Sequence, residues 1–433
     1  LAHAPPPPAP YTVLTSSAAS DVYKRQVLLD FDPYIDEPVN ARYIKEIAMQ
    51  FEGGRNKLVF ISHKIDIPPG LSKRVARFEL SLPDASALEQ IIRDEAGKWQ
   101  QESGKKVATD PDTLHRLMRN LSGLTFNDAR RLIRNVIVDD GAITGDDLPE
   151  VMQAKYQLLN RDDVLSFEFE TTRFSEVGGM RTLKRWLQQR EKIFHGLIDQ
   201  PGIDTPKGVL LLGVQGCGKS LAAKAVAGIW KVPLLRFDFG ALYDKYIGES
   251  EKNLRESLNT AEVMSPCVMW IDEIEKGIAS GNDDGTSRRI LGTLLTWLAE
   301  KNSNVFIVAT ANNIEALPPE LIRKGRLDEI FFVDLPKQDI RKQIFSIHMD
   351  KREVNQSGID LETLAAASEG FSGSEIEQAV VSAIYSSYGS DRPLTTESLL
   401  EEIKATRPLS VVMDAQIQKL KQWAESRTVS VDQ

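Results

Sequence analysis

Short apolar runs recur along the chain between turn-forming segments: Leu58–Ile61, Val209–Leu212, Val232–Phe237, Val268–Ile271, Val305–Val308 and Ile330–Val333. Runs of this length flanked by polar residues predict strands buried on both faces, as a parallel sheet requires. Between them lie helical patterns. Leu221-Ala-Ala-Lys-Ala-Val-Ala is rich in strong helix formers, and Leu148–Leu159 and Met413–Glu425 space their apolar residues for one helix face. Strand and helix in alternation predict an α/β fold, a parallel sheet sandwiched by helices.

The pattern also repeats. Leu58–Leu71 parallels Val305–Leu321: each is a buried strand entering a Pro-Pro-x-Leu turn. Each is followed by a second apolar strand ending in Leu-Pro, Phe78–Pro83 and Ile330–Pro336. Further on, Ser122-Gly-Leu-Thr-Phe-Asn-Asp-Ala-Arg130 parallels Glu369-Gly-Phe-Ser-Gly-Ser-Glu-Ile-Glu377, a Gly turn and polar N-cap opening a helix. Residues 27–150 thus read as the back half of a module whose complete copy begins near 173. Residues 151–172 read as a linker helix and strand, 173–336 as the α/β domain, 337–407 as a helical lid and 408–433 as a C-terminal helix. The first 26 residues, Pro5–Pro8 and the Ser/Ala-rich stretch after them, run without a turn into Val27–Asp30, which reads as the middle of a buried strand. They are either a disordered leader or a non-native stretch in place of a missing N-terminal part; the abrupt junction favours the second.

Length and composition bound the function. At 433 residues the chain suggests about three structural pieces, and 42% apolar with 27% charged residues suits packed cores. The net charge of −9 leaves no global basic field for nucleic acid. Two cysteines, Cys217 and Cys267, cannot build a disulfide scaffold. No apolar run approaches the roughly 20 residues that span a bilayer.

Leu210-Leu-Leu-Gly213-Val-Gln-Gly216-Cys217-Gly218-Lys219-Ser220 matches G-x-x-x-x-G-K-[ST] at every fixed position, with a strand before it and a helix from Leu221 after it. Inward-facing N–H groups of such a loop surround a β-phosphate; Lys219 would neutralise phosphate oxygens, and Ser220 would place its hydroxyl on Mg²⁺. Asp272 and Glu273 end the run Val268–Ile271, 52 residues beyond Ser220. Asp272 would hold the metal, and Glu273 would polarise the attacking water. Asn312, after the strand Val305–Val308, could reach the γ-phosphate or that water. Arg323 and Arg326, on a short turn, suit the γ-phosphate bound by a neighbouring subunit.

Together these motifs resemble the AAA-family ATPases (ATPases associated with diverse cellular activities) of the protein-remodelling branch, from Phe174 to about Arg407. The resemblance implies ATP and Mg²⁺ as ligands. It makes Gly178 and Gly179 part of the segment covering adenine, His348 a nucleoside contact, and Gly373 and Ser374 the adenine-contacting turn of the lid. It makes Asn312 the phosphate sensor, and Arg323 and Arg326 arginine fingers of a homo-oligomer, a hexameric ring. Tyr246, Ile247 and Gly248 are similar to the pore loop that grips a polypeptide; otherwise Tyr246 and Ile247 simply pack on the following helix. The first copy departs from the family: Phe31 stands where a catalytic Glu belongs, and Ser62 and His63 stand near the sensor position, so it reads as degenerate and non-hydrolysing. A degenerate first copy before an intact second resembles the AAA-domain ATPases encoded by plastids and cyanobacteria, implying a cyanobacterial cytoplasm or plastid stroma. The alternative function is a slow ATP-dependent switch or scaffold that regulates partner assembly without threading.

Overall fold

A computed structural model describes residues 25–432 except 36, 52–56, 63–64, 66, 68–69, 79–80, 160–163, 169–175, 199–201, 244–249, 280–283, 324 and 391–392. It divides into two compact units, residues 1–81 and 82–433.

In the first unit, β1 (Arg25–Leu29) and β2 (Lys57–Ile61) pair in parallel, with Leu29 opposite Ile61. Helix Pro38–Gln50 packs Ile44 with Ile35 and Leu71 into a small core. The expectation that Val27–Asp30 and Leu58–Ile61 are buried strands is overturned. Leu29 and Ile61 are about half exposed, because β1 and β2 are the only strands of their sheet among the described residues. The strand expected at Phe78–Pro83 is also absent among the described residues: Phe78 is irregular and exposed.

The second unit opens with four helices, Ala85–Ser103, Pro111–Leu121, Phe126–Asp140 and Asp147–Leu159. Their starts are fixed locally. Asp84 accepts from the N–H of Ala87, Asp110 from that of Thr113 and Thr125 from that of Asp128. A two-residue bridge of β3 (Ala108–Thr109) with β4 (Ala142–Ile143) ties the loops. Leu88, Ile91, Leu117, Leu121, Leu132, Ile133 and Ile137 form the bundle's core. The four helices repeat the order of the later lid, Gln338–Asp350, Leu361–Ala367, Gly373–Ser390 and Thr396–Ala405. The turn before the third helix of each set carries a left-handed glycine, Gly123 at φ 85° and Gly370 at φ 80°. The division between units falls at 81/82 and not near 150, because helix Asp147–Leu159 sends Met152, Tyr156 and Leu159 into the core under the large sheet.

That sheet has seven strands: β5 (Leu165–Glu168), β6 (Gly208–Gly213), β7 (Leu234–Phe237), β8 (Cys267–Ile271), β9 (Val305–Ala311), β10 (Glu329–Val333) and β11 (Val429–Ser430). Their order is β11-β10-β6-β9-β8-β7-β5, all parallel except β5, which runs antiparallel to β7. Every residue of β6, β8 and β9 is buried, as strands covered by helices on both faces must be. One covering layer centres on Trp230, which stacks on Phe194 at 4.4 Å and meets Phe306 edge-on at 4.6 Å. The C-terminal region is not helix throughout. After helix Asp414–Ala424 the chain joins the sheet edge as β11, and the N–H of Val431 bonds the carbonyl of Phe332. No described helix is long and apolar enough to cross a membrane.

Candidate nucleotide site

The carboxyl ends of β6, β8 and β9 and the lid enclose a cavity of about 720 Å³. Ligands bind where strand order reverses in such sheets, and here β6 lies between β9 and β10. Gly213 ends β6 opposite Val333; a Cβ there would lie 2.0 Å from the Val333 carbonyl oxygen, so the strand can enter its loop only through glycine. Helix Lys219–Trp230 follows the loop directly. Lys219 is buried, and its Nζ donates to the carbonyls of Gly213 and Val214 at 2.9 and 2.8 Å. Burial pushes its ammonium below the ordinary lysine range, while the carboxylates of Glu275, Asp272 and Glu273 pull the other way.

Across the cavity, the Ser220 hydroxyl lies 3.4 Å from Asp272 Oδ1. Thr310 donates to the same oxygen at 2.5 Å, and its Oγ1 accepts from the N–H of Glu273 at 3.0 Å, so β9 fixes the tip of β8. Glu273 has left-handed backbone, φ 47°. Its carboxylate accepts from Asn312 Nδ2 at 2.9 Å and from Lys276 Nζ at 2.5 Å. The Asn312 N–H donates to Glu275 Oε1 at 2.8 Å. Serine hydroxyl and carboxylate side by side are hard oxygen donors of the kind Mg²⁺ takes.

The lid closes the other side. Ser374 donates through its N–H and its hydroxyl to the carbonyl of Gly216, at 3.0 and 3.2 Å. Ser372 and Glu375 cap that helix reciprocally. His348 faces the cavity with Nδ1 3.5 Å from Glu377, whose carboxylate also holds Arg352 at 2.7 Å. Burial pushes the His348 pKa down against the pull of Glu377.

Of the residues expected from sequence, Gly178, Gly216, Cys217, Gly218, Lys219, Ser220, Leu221, Asp272, Glu273, Asn312, His348, Gly373 and Ser374 line this one cavity. Gly179 sits behind it, its N–H on Gln343 Oε1 at 3.3 Å. Burial holds the Cys217 thiol up at about 12, the wrong direction for a nucleophile. Arg323 and Arg326 stand outside the cavity; Arg323 is exposed, and Arg326 donates to the Glu320 carbonyl at 2.7 Å. Tyr246, Ile247 and Gly248 lie outside the described residues, as does His63. Sequence reasoning missed Thr310, Glu275, Glu377 and, from the C-terminal strand, Val431 and Asp432, all of which border the site. Asp432 Oδ1 accepts from the N–H of Arg181 at 3.1 Å, anchoring the strand to the start of helix Arg181–Phe194. Thr310 could have been found, since it alternates with Asn312 along β9; a two-residue strand leaves no periodic signal.

A glycine loop running from a buried strand into a helix, with paired acids at the tip of the strand one removed across the sheet, defines a P-loop nucleotide-binding fold. The profile of the ATPase family associated with various cellular activities (AAA) matches residues 209–335, and that of the AAA+ lid domain matches 358–402. Profiles of SpoVK-like AAA ATPases match 8–80, as N-terminal domain, and 86–162, as second domain; the first begins inside the proline-led segment. The "Uncharacterized AAA domain-containing protein ycf46" of Pyropia yezoensis is 38% identical over 403 residues, covering 92% of this chain and 80% of that protein. Its namesake in Guillardia theta is 37% identical over 404 residues, 92% and 79% of the two chains. A proteasome-activating nucleotidase of Aeropyrum pernix is 33% identical over 251 residues, 54% of this chain and 60% of its own. The chain belongs to the AAA ATPase family.

Proposed function

We propose that this chain is a Mg²⁺-dependent ATPase whose subunits assemble into a ring and remodel a polypeptide. The observation that carries the reading is the approach of Ser220 to Asp272 at 3.4 Å beside the buried Lys219, with Asn312 and Glu273 paired on the same cavity. Mg²⁺ held by Ser220 and Asp272 would neutralise charge developing on the phosphate oxygens. Lys219, bonded to its own loop's carbonyls, exchanges them for β/γ oxygens when ATP enters. Glu273 accepts a proton-bearing edge of the attacking water, and Asn312 fixes its carboxylate. Arg323 and Arg326, outside their own subunit's cavity, complete the site of the next subunit.

Glu273→Gln tests the core of this. Nucleotide binding by fluorescent titration should persist while turnover falls by about 10²-fold or more; full turnover in the variant removes Glu273 from the water-orienting role.

The ion pair Lys276–Glu273 supports a second reading, a slow switch that holds Glu273 back and responds to partners without threading. Tyr246→Ala separates the two. A threading motor loses substrate remodelling and keeps its ATPase rate, whereas a switch keeps its partner response. Residues 25–159 we take as a degenerate AAA remnant. Two parallel strands carry Asp32 and Ser62, hydrogen-bonded to each other, at their carboxyl ends, and four lid-like helices follow in sequence. By the resemblance, the protein works in a cyanobacterial cytoplasm or plastid stroma.

A further inference from the structure

A second cavity, about 330 Å³, opens where the 85–159 helices meet the amino-terminal end of β7 and the carboxyl end of helix Lys219–Trp230. Arg116 and Arg119 of helix Pro111–Leu121, His195 and Lys231 all border it. Among its lining residues the sole carboxylate is Glu168, and that is already paired with Lys224 at 3.1 Å. Among the described residues neither Arg116, Arg119 nor Lys231 forms an ion pair within 4 Å, and the Arg119 guanidinium has only His195 Nδ1, at 3.4 Å, as a side-chain partner. This is an unusual arrangement for an acidic chain of net charge −9. Burial and the neighbouring Arg116 push the Arg119 pKa down, with Asp112 alone pulling up; burial and Arg119 push that of His195 down, opposed by Glu191. Two adjacent half-buried guanidiniums without a carboxylate cost the folded state energy, and an anion between them removes that cost. Leu148 and Phe167 supply an apolar wall to the same space. Planar forks and an ammonium beside an apolar wall suit a dianion carried on a small apolar body.

We propose that this cavity binds a small organic phosphate monoester, its phosphate between Arg116, Arg119 and Lys231 and its body against Leu148 and Phe167. The site is separate from the nucleotide cavity, and its existence does not depend on hydrolysis.

The test is calorimetric titration of the full chain with phenyl phosphate in the presence of saturating ADP and Mg²⁺, repeated on Lys219→Ala protein so that the P-loop cannot contribute. One saturable site is expected in both proteins, at least about tenfold tighter than inorganic phosphate. Arg119→Ala should weaken it about tenfold, the loss of a charge-assisted hydrogen-bonded pair, and Arg119→Lys by less. Should Arg119→Ala not fold, the exposed Lys231→Ala should still weaken binding severalfold. No saturable heat, binding that Lys219→Ala abolishes, affinity unchanged by the arginine and Lys231 variants, or inorganic phosphate binding equally well would each overturn the proposal.

Discussion

Replacing Lys155 by methionine probes how the helices 85–159 are held to the nucleotide-binding domain. The side chain is fully buried, and its Nζ donates to the carbonyls of Ser122 and Val263 at 2.6 Å each, bridging the bundle to the end of helix Ser250–Val263. Burial pushes its pKa from the ordinary 10.5 to about 8, Cys267 opposing weakly. Between those values the unfolded chain holds a proton that the folded chain has lost. Stability therefore rises with pH through that window and is flat below it. At 1.36 kcal/mol per pH unit the full effect is about 3 kcal/mol, most of which is reached by pH 10. Methionine keeps the length of the side chain and abolishes the titration, while two carbonyls lose their donor at about 1–3 kcal/mol each. Near pH 7 that loss is largely offset by release of the desolvated charge. The gap between wild type and Lys155→Met should then widen by about 2–3 kcal/mol from pH 7 to pH 10. Lys301, also brought to about 8, and Cys217, raised to about 12, titrate alike in the two proteins; Cys267 is raised to about 12 even with Lys155 pulling it down, so its folded thiol stays protonated through pH 10 in both and it too drops out of the difference. Urea unfolding followed by tryptophan fluorescence at pH 7, 8.5 and 10 measures it. Parallel pH curves for the two proteins would refute the assignment of a depressed, buried lysine at the junction.

Two further outcomes follow from the site. On the proposed trans role of Arg323, Arg323→Ala should lose ATPase activity and recover part of it on mixing with Lys219→Ala subunits, because each variant would keep the half of a shared site that the other lacks; mixed subunits that assemble without regaining activity would argue against trans action. Asp432→Ala removes the acceptor on the Arg181 N–H and frees the C-terminal strand from the edge of the cavity, so KM for ATP should rise about threefold with kcat unchanged, read from steady-state kinetics.

The groups that gather at the cavity were legible in sequence because they lie close along the chain: a strand tip, a glycine loop and a helix start place Gly216, Lys219 and Ser220 within one turn, and the acids follow an apolar run that here is an interior strand. What escaped depends on partners that no local pattern names. An apolar run such as Val27–Leu29 reads as buried, yet burial on both faces needs neighbouring strands, and β1 has only β2 among the described residues. Lys155 carries the helical spacing of the apolar stripe Leu148, Val151, Met152, but a lysine in such a stripe ordinarily snorkels to solvent. Only the carbonyls of Ser122 and Val263, 33 and 108 residues away, explain why it goes inward.

The tip of β8 and the end of β1 are built differently. At the tip of β8, Asp272 and Glu273 are bound to Thr310 of β9 and to Asn312 just beyond it, and Glu273 also accepts from Lys276. In the first unit, β1 pairs in parallel with β2 and Asp32 is hydrogen-bonded to Ser62, while Phe31 packs toward Phe60 and Tyr34. An aromatic ring there adds packing to a small core that has few other sources of it. The helices 85–159 are packed on the nucleotide-binding domain, where Lys155 and the apolar face of helix Asp147–Leu159 join its core.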